Sequence, residues 1–208
     1  MPRLPLALDL NGRRVVVVGG GPVAQRKVAA LLAAGAEVVV IAPELTAELA
    51  QLAQSGALAW LPRPYQPGDL AGAWLVLAAT NRGEVNRAVA AEAEAQRLWC
   101  NVAAPPQAGS CHVMAQVARE GVMIALATDG ASPYAARRLR QIVEAAVPPE
   151  LARLAALIGE QRAAVQARWA SEPERAAAYD RLWECGAAGA LAAGDEQRAR
   201  ALLAAAIG

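Results

Sequence analysis

The stretch Val15 to Lys27, VVVVGGGPVAQRK, constrains the fold more than any other part of the chain. Four consecutive β-branched residues ending at glycine suit a parallel strand buried on both faces better than a surface strand, which would alternate apolar and polar positions. Directly after the glycines, PVAQRKVAALLAA (22–34) carries Val23, Val28, Leu31 and Leu32 at helical spacing, with Gly35 placed to end the helix. EVVVIA (37–42) then repeats the buried-strand pattern. Strand, glycine turn, helix and strand together span the roughly 30 residues of a βαβ unit.

The alternation continues. Residues 45–55 read as helix and 57–63 as extended chain; WLVLAAT (74–80) reads as a buried strand, 84–96 as an alanine-rich helix and LWCNVA (98–103) as the next strand. This order predicts an α/β fold with a Rossmann-like, doubly wound parallel sheet. From residue 104 the character changes. APPQAGSCHVMAQV (104–117) is a loop that becomes extended, GVMIALAT (121–128) is a strand, and DGASP (129–133) turns into the basic helix YAARRLRQIVEAAV. Beyond Pro148 and Pro149 the pattern is helical to the end, with a break expected near 171–173.

Composition excludes several function classes. Twenty basic residues against nineteen acidic ones leave a net charge of +1 in 208 residues, which offers no electrostatic footprint for nucleic acid or an anionic membrane. The prolines at positions 2 and 5 break the short apolar start, and no apolar run reaches the roughly 20 residues of a membrane span. Cys100, Cys111 and Cys185 form no CxxC pair and are odd in number, which argues against a disulfide framework and fits a cytoplasmic location.

Gly19, Gly20 and Gly21, followed by Pro22 and Val23 at the helix start, form a candidate dinucleotide pyrophosphate site: glycine permits close backbone approach, and a helix N-terminus favours anions. The alternative is a tight turn that merely requires positive φ. Counted from Gly19, the third glycine of GxGxxG is replaced by Ala24. The second strand ends Ile41, Ala42, Pro43, Glu44, so either Glu44 reaches back to the adenosine ribose or backbone near Pro43 does. The absence of arginine near that strand end favours NAD over NADP. Thr80 and Asn81, after the 74–80 strand, either line the same crevice or cap the next helix.

Four blocks in order, DLNGRRVVVVGGGPVAQRKVAALLAAGAEVVVIAP, WLVLAATNRGEVNRAV, LWCNVA and GVMIALATDGASPYAARRLRQIVE, resemble the precorrin-2 dehydrogenase and sirohydrochlorin ferrochelatase family, the amino-terminal module of siroheme synthase. The resemblance implies an NAD-dependent oxidoreductase that converts precorrin-2 to sirohydrochlorin in siroheme biosynthesis, and, in bifunctional members, ferrous iron insertion. It also implies a homodimer, with an NAD-binding domain over 1–112, a dimerisation region over 113–147 and a helical domain over 148–208. The end of the chain at the helical region matches the stand-alone form, without the fused methyltransferase module.

One departure bears on the chemistry. The family motif NVVDAP is here NVAAPP (101–106), with Ala104 at the aspartate position, so a carboxylate implicated in dehydrogenation and metal insertion is replaced by a group that moves no proton. Nearby His112, the single histidine, is either a structural side chain or the acid–base group of the site. If the segment is extended, Cys111 and His112 face opposite ways, and no metal-ligand spacing links them with Cys100. Arg137, Arg138 and Arg140 follow the DGASP turn on one helix; they and Ser132 are candidate contacts for a macrocycle fringed with carboxylates. The alternatives are a solvated helix and, for Ser132 and Asp129, roles in the turn and helix cap. The resulting expectation is NAD-dependent dehydrogenation with doubtful metal insertion; its rival is a non-catalytic tetrapyrrole carrier or NAD-dependent regulator.

Overall fold

The structure, a computed structural model, describes residues 4–128 and 132–208. The chain divides into two compact units, one ending at Val113 and the other comprising Met114–Gly208.

The first unit is built on five parallel strands: β1 (Arg14–Val18), β2 (Glu37–Ile41), β3 (Ala59–Leu61), β4 (Leu75–Ala78) and β5 (Trp99–Val102), in the order β3-β2-β1-β4-β5. The connecting helices are α1 (Pro22–Ala33), α2 (Ala47–Gln54) and α3 (Gly83–Ala95). The valine run explains the doubly wound form. Val15 and Val17 pack into one core with α1 residues Ala24, Val28 and Leu31, whereas Val16 and Val18 pack into another with α3 residues Val89, Ala90 and Ala93. Both faces of β1 are therefore dry, as its unbroken apolar sequence requires. Gly35 follows the last turn of α1 at φ +73°, where a left-handed residue lets the chain turn into β2.

The elements are shorter than their apolar runs. Helix α2 begins at Ala47 because Thr46 caps it, accepting the Leu49 N–H, and β3 keeps only three residues of the extended 57–63 stretch.

In the second unit, β6 (Ala115–Arg119) and β7 (Val122–Leu126) form an antiparallel hairpin, followed by α4 (Pro133–Ala146). Helices α5 (Pro149–Glu160), α6 (Arg162–Arg168), α7 (Glu172–Glu184), α8 (Ala187–Ala192) and α9 (Glu196–Ile207) enclose a separate core containing Leu154, Leu157, Leu182 and Leu203. The break expected near 171–173 is a capping box: Ser171 accepts the Glu174 N–H, and the Glu174 carboxylate accepts from the Ser171 backbone. Among the described residues, no helix is long and apolar enough to cross a membrane.

Candidate functional site

A cleft of about 980 Å³ opens at the carboxyl ends of the strands, where the strand order reverses between β1 and β4. That is where open α/β sheets bind ligands. All the sequence-selected cofactor residues line it: Gly19, Gly20, Gly21, Pro22, Val23, Pro43, Glu44, Thr80 and Asn81, together with Ala104.

The three glycines have different reasons to be glycine. Gly19 adopts φ +123°, and a Cβ there would lie 2.5 Å from the Ala79 carbonyl oxygen. At Gly20 a Cβ would lie 2.0 Å from the Glu44 carbonyl oxygen. Both therefore serve the close passage of β1 past its neighbouring loops. Gly21 has an ordinary φ of −86°, and a Cβ on it would meet nothing within 4 Å. Its missing side chain leaves open space at the N-terminus of α1, which has no side-chain cap. Uncapped first-turn N–H groups beside an open cradle suit an anionic ligand such as a pyrophosphate. Ala24 is fully buried against the sheet, where the third glycine of the motif ordinarily allows close helix–strand packing.

Charge in the cleft differs from the sequence expectation in one respect. Although β2 has no arginine near its end, the fold brings Arg26 from α1 and Arg82 from the loop after β4 to the cleft wall. Arg82 is paired with Glu84 at 2.9 Å. Glu44 is the one carboxylate among the described lining residues.

The far wall is organised by Asn86, which sequence reasoning missed. Its Oδ1 accepts the Thr80 N–H at 3.2 Å and the Thr80 hydroxyl at 2.8 Å, while Nδ2 donates to the carbonyl oxygens of Thr80 at 3.1 Å and Ala104 at 2.8 Å. Asn86 is 1% exposed and ties the end of β4 to the loop carrying Ala104. The available signal was its position on the apolar stripe Asn86, Val89, Ala90, Ala93, where a polar residue needs internal partners. Thr80 lines the cleft and orders its turn by accepting the Arg82 N–H, but the helix cap itself is Arg82. Asn86→Ala is expected to lower the unfolding free energy by about 2 kcal/mol, because it strands buried partners. A shifted urea midpoint at constant slope is the measurement; an unchanged midpoint would contradict this role.

A second polar link was also missed. Lys27 Nζ donates to Asn101 Oδ1 at 2.5 Å, and Asn101 Nδ2 donates to the Cys111 carbonyl oxygen at 3.0 Å. Burial draws the Lys27 ammonium below the ordinary lysine range. Burial also pushes the Cys100 thiol up to about 11 and the Cys111 thiol upward, so both stay protonated at neutral pH.

His112 is half-buried beyond the short 3-10 turn Pro106–Ala108, and the described cleft lining does not include it. Residues 111–114 form no strand, so the alternation expected for Cys111 and His112 has no ladder behind it. Ser132, Arg137 and Arg138 belong to the second unit. Ser132 caps α4 by accepting the Ala135 N–H at 3.2 Å; Arg137 lies over the Tyr134 ring, and Arg138 donates to Gln141. Asp129 lies outside the described residues. Among the described residues, no group of three or more His, Cys, Asp or Glu side chains could hold a metal ion.

Comparison with known proteins bears on both units. Residues 6–115 match a family described as putative NAD(P)-binding, and residues 150–207 match the sirohaem synthase dimerisation region. Siroheme synthase 3 of Aeromonas hydrophila is 42% identical over 203 residues, which is 97% of this chain and 43% of that protein. The siroheme synthase of Chromobacterium violaceum is 42% identical over 201 residues, with the same coverage. The chain thus spans less than half the length of these curated relatives. The solved structure of SirC, precorrin-2 dehydrogenase, is similar with a TM-score of 0.77 at 25% identity, covering 97% of this chain and 98% of that one.

Proposed function

The chain belongs to the precorrin-2 dehydrogenase family, that of the siroheme synthase amino-terminal module, and from that premise we propose that it oxidises precorrin-2 to sirohydrochlorin with NAD. The observation that carries the cofactor is the open cradle at Gly21, at the uncapped start of α1. Gly19 to Val23 would hold the pyrophosphate, Pro43 and Glu44 the adenosine ribose, and Thr80 and Asn81 the opposite wall. Bound there, NAD would supply the hydride acceptor for oxidation of the macrocycle, with a proton released alongside. The protein's own contribution is positioning and exclusion of water, which needs no carboxylate at residue 104. Metal insertion is different. It requires removal of pyrrole N–H protons, and Ala104 supplies no base, so chelation is a weak activity here or none.

Ser132, Arg137 and Arg138 are proposed contacts for the carboxylate rim of the substrate. Anaerobic incubation with precorrin-2 and NAD, followed through the appearance of NADH absorbance, tests the activity. Tight binding of both ligands without NADH formation would instead favour a carrier or regulator.

We also propose a homodimer in which Gly121 to Val147 contributes an isologous interface. Met123, Leu139 and Ile142 are exposed apolar residues of this stretch, and the two-stranded sheet has no further strand on either edge among the described residues. The segment lies just before residues 150–207, which match the dimerisation region. Light scattering at micromolar concentration is expected to give the dimer mass; a monomer mass would end this proposal.

A further inference from the structure

We propose that Tyr65 is the platform on which the adenine ring of the dinucleotide stacks, and that Glu92 is the latch that holds this platform in place. The inference rests on the NAD reading above and extends it to residues that no sequence motif marks.

With the pyrophosphate at Gly19 to Gly21, the adenosine half lies on the β2 side of the switch point, because the end of the second strand reads the adenosine ribose in this class of sheet. Beyond the polar Glu44 and Thr46, the lining there is apolar: Ile41, Pro43 and Leu45 at and after the end of β2, and Pro64 and Tyr65 in the loop after β3. Tyr65 is the one aromatic residue among the described lining residues. An adenine ring needs an apolar slot and a flat partner, and an aromatic face offers both.

The hydroxyl of Tyr65 is already committed. It donates a hydrogen bond to Glu92 Oε2 on α3, and the same carboxylate accepts the Gly68 N–H at 3.1 Å and the Leu70 N–H at 3.4 Å. Gln96 Nε2 supports it from the next turn at 2.9 Å. A second clamp closes the same loop: Arg63 forms a two-pronged pair with Asp69 at 2.6 and 2.8 Å. Burial, with Glu92 adding to it, pushes the phenol well above its ordinary range, so it remains a proton donor to the latch. These bonds leave Tyr65 no free hydroxyl for a ligand. The ring is half-buried, packed against the core on the α3 side while still lining the cleft, so its orientation is fixed before binding, and such preorganisation lowers the ordering cost of binding.

Titration calorimetry on the full chain with NAD, ADP and nicotinamide mononucleotide separates this role from simple core filling. Tyr65→Leu keeps apolar bulk but removes the ring face, and is expected to weaken NAD and ADP by about tenfold, or ~1.4 kcal/mol. Nicotinamide mononucleotide, which lacks adenine, is expected to bind as the parent protein does. Tyr65→Phe keeps the ring and is expected to lose much less, while Glu92→Ala, which frees the ring, falls between the two. Unchanged ADP affinity in Tyr65→Leu would overturn the proposal, as would an equal loss for the mononucleotide. A parent protein that binds no NAD would strike the functional reading itself, whereas a parent that binds NAD but is insensitive at Tyr65 strikes only this inference.

Discussion

Gly21→Asp is expected to weaken NAD binding by about a hundredfold or more while leaving the protein folded. The structure separates the two effects. Because Gly21 has an ordinary φ and a Cβ there meets nothing within 4 Å, a side chain can be added without displacing backbone. What it does displace is the ligand, since the added carboxylate projects into the cradle at the start of α1. At about 4 Å and an effective dielectric of about 20, two like charges repel by ~4 kcal/mol, and solvent in an open cleft reduces this to roughly 2 to 3 kcal/mol. Loss of volume for the pyrophosphate adds to it. Gly20→Ala is the contrasting control: its Cβ would sit 2.0 Å from the Glu44 carbonyl oxygen, so it is expected to lower the melting temperature first and affinity as a consequence. Calorimetry of Gly21→Asp with NAD, alongside thermal melts of both variants, reads the difference. Parent-like affinity in a folded Gly21→Asp protein would mean that the cradle does not hold the cofactor.

The contrast between these glycines also shows where sequence information stops. The doubly wound sheet was legible because burial on both faces demands unbroken apolar strands, and Val15 to Val18, Glu37 to Ile41 and Leu75 to Ala78 carry that demand in their residue types. The cleft residues followed, because ligand sites in such sheets are fixed by topology. Which glycine faces a ligand and which faces a neighbouring carbonyl was not legible, since that depends on a loop approaching from elsewhere in the chain. The same holds for Asn86, whose partners Thr80 and Ala104 come from two other segments, and for Arg26 and Arg82, brought to the cleft from either side of the switch point. Helix ends were legible where a cap residue or a left-handed glycine marks them, as at Ser132, Ser171 and Gly35, though the Thr46 cap was not. The division of the last helical stretch at Gly186 and Gly194, both with positive φ, carried no pattern in the apolar periodicity.

Ala104→Asp is expected to raise metal insertion into sirohydrochlorin by at least tenfold, and to change NAD-dependent dehydrogenation much less. The asymmetry is chemical. Hydride transfer depends on holding donor and acceptor in line, and the accompanying proton can leave to water. Insertion of a divalent cation requires a local base for the pyrrole N–H protons and negative charge within reach of the ion. The described cleft lining offers little of either. Its one carboxylate, Glu44, stands at the end of β2, and the phenol of Tyr65 is held protonated by burial and Glu92. Ala104 is exposed on the loop after β5, with its backbone oxygen fixed by Asn86, so an aspartate there adds charge to a positioned backbone without entering the core. Assaying both reactions anaerobically for the parent, Ala104→Asp and His112→Ala decides the point. Robust iron or cobalt insertion by the parent, undiminished in His112→Ala, would show that neither group is needed and that the missing aspartate is not what limits metal chemistry in this protein.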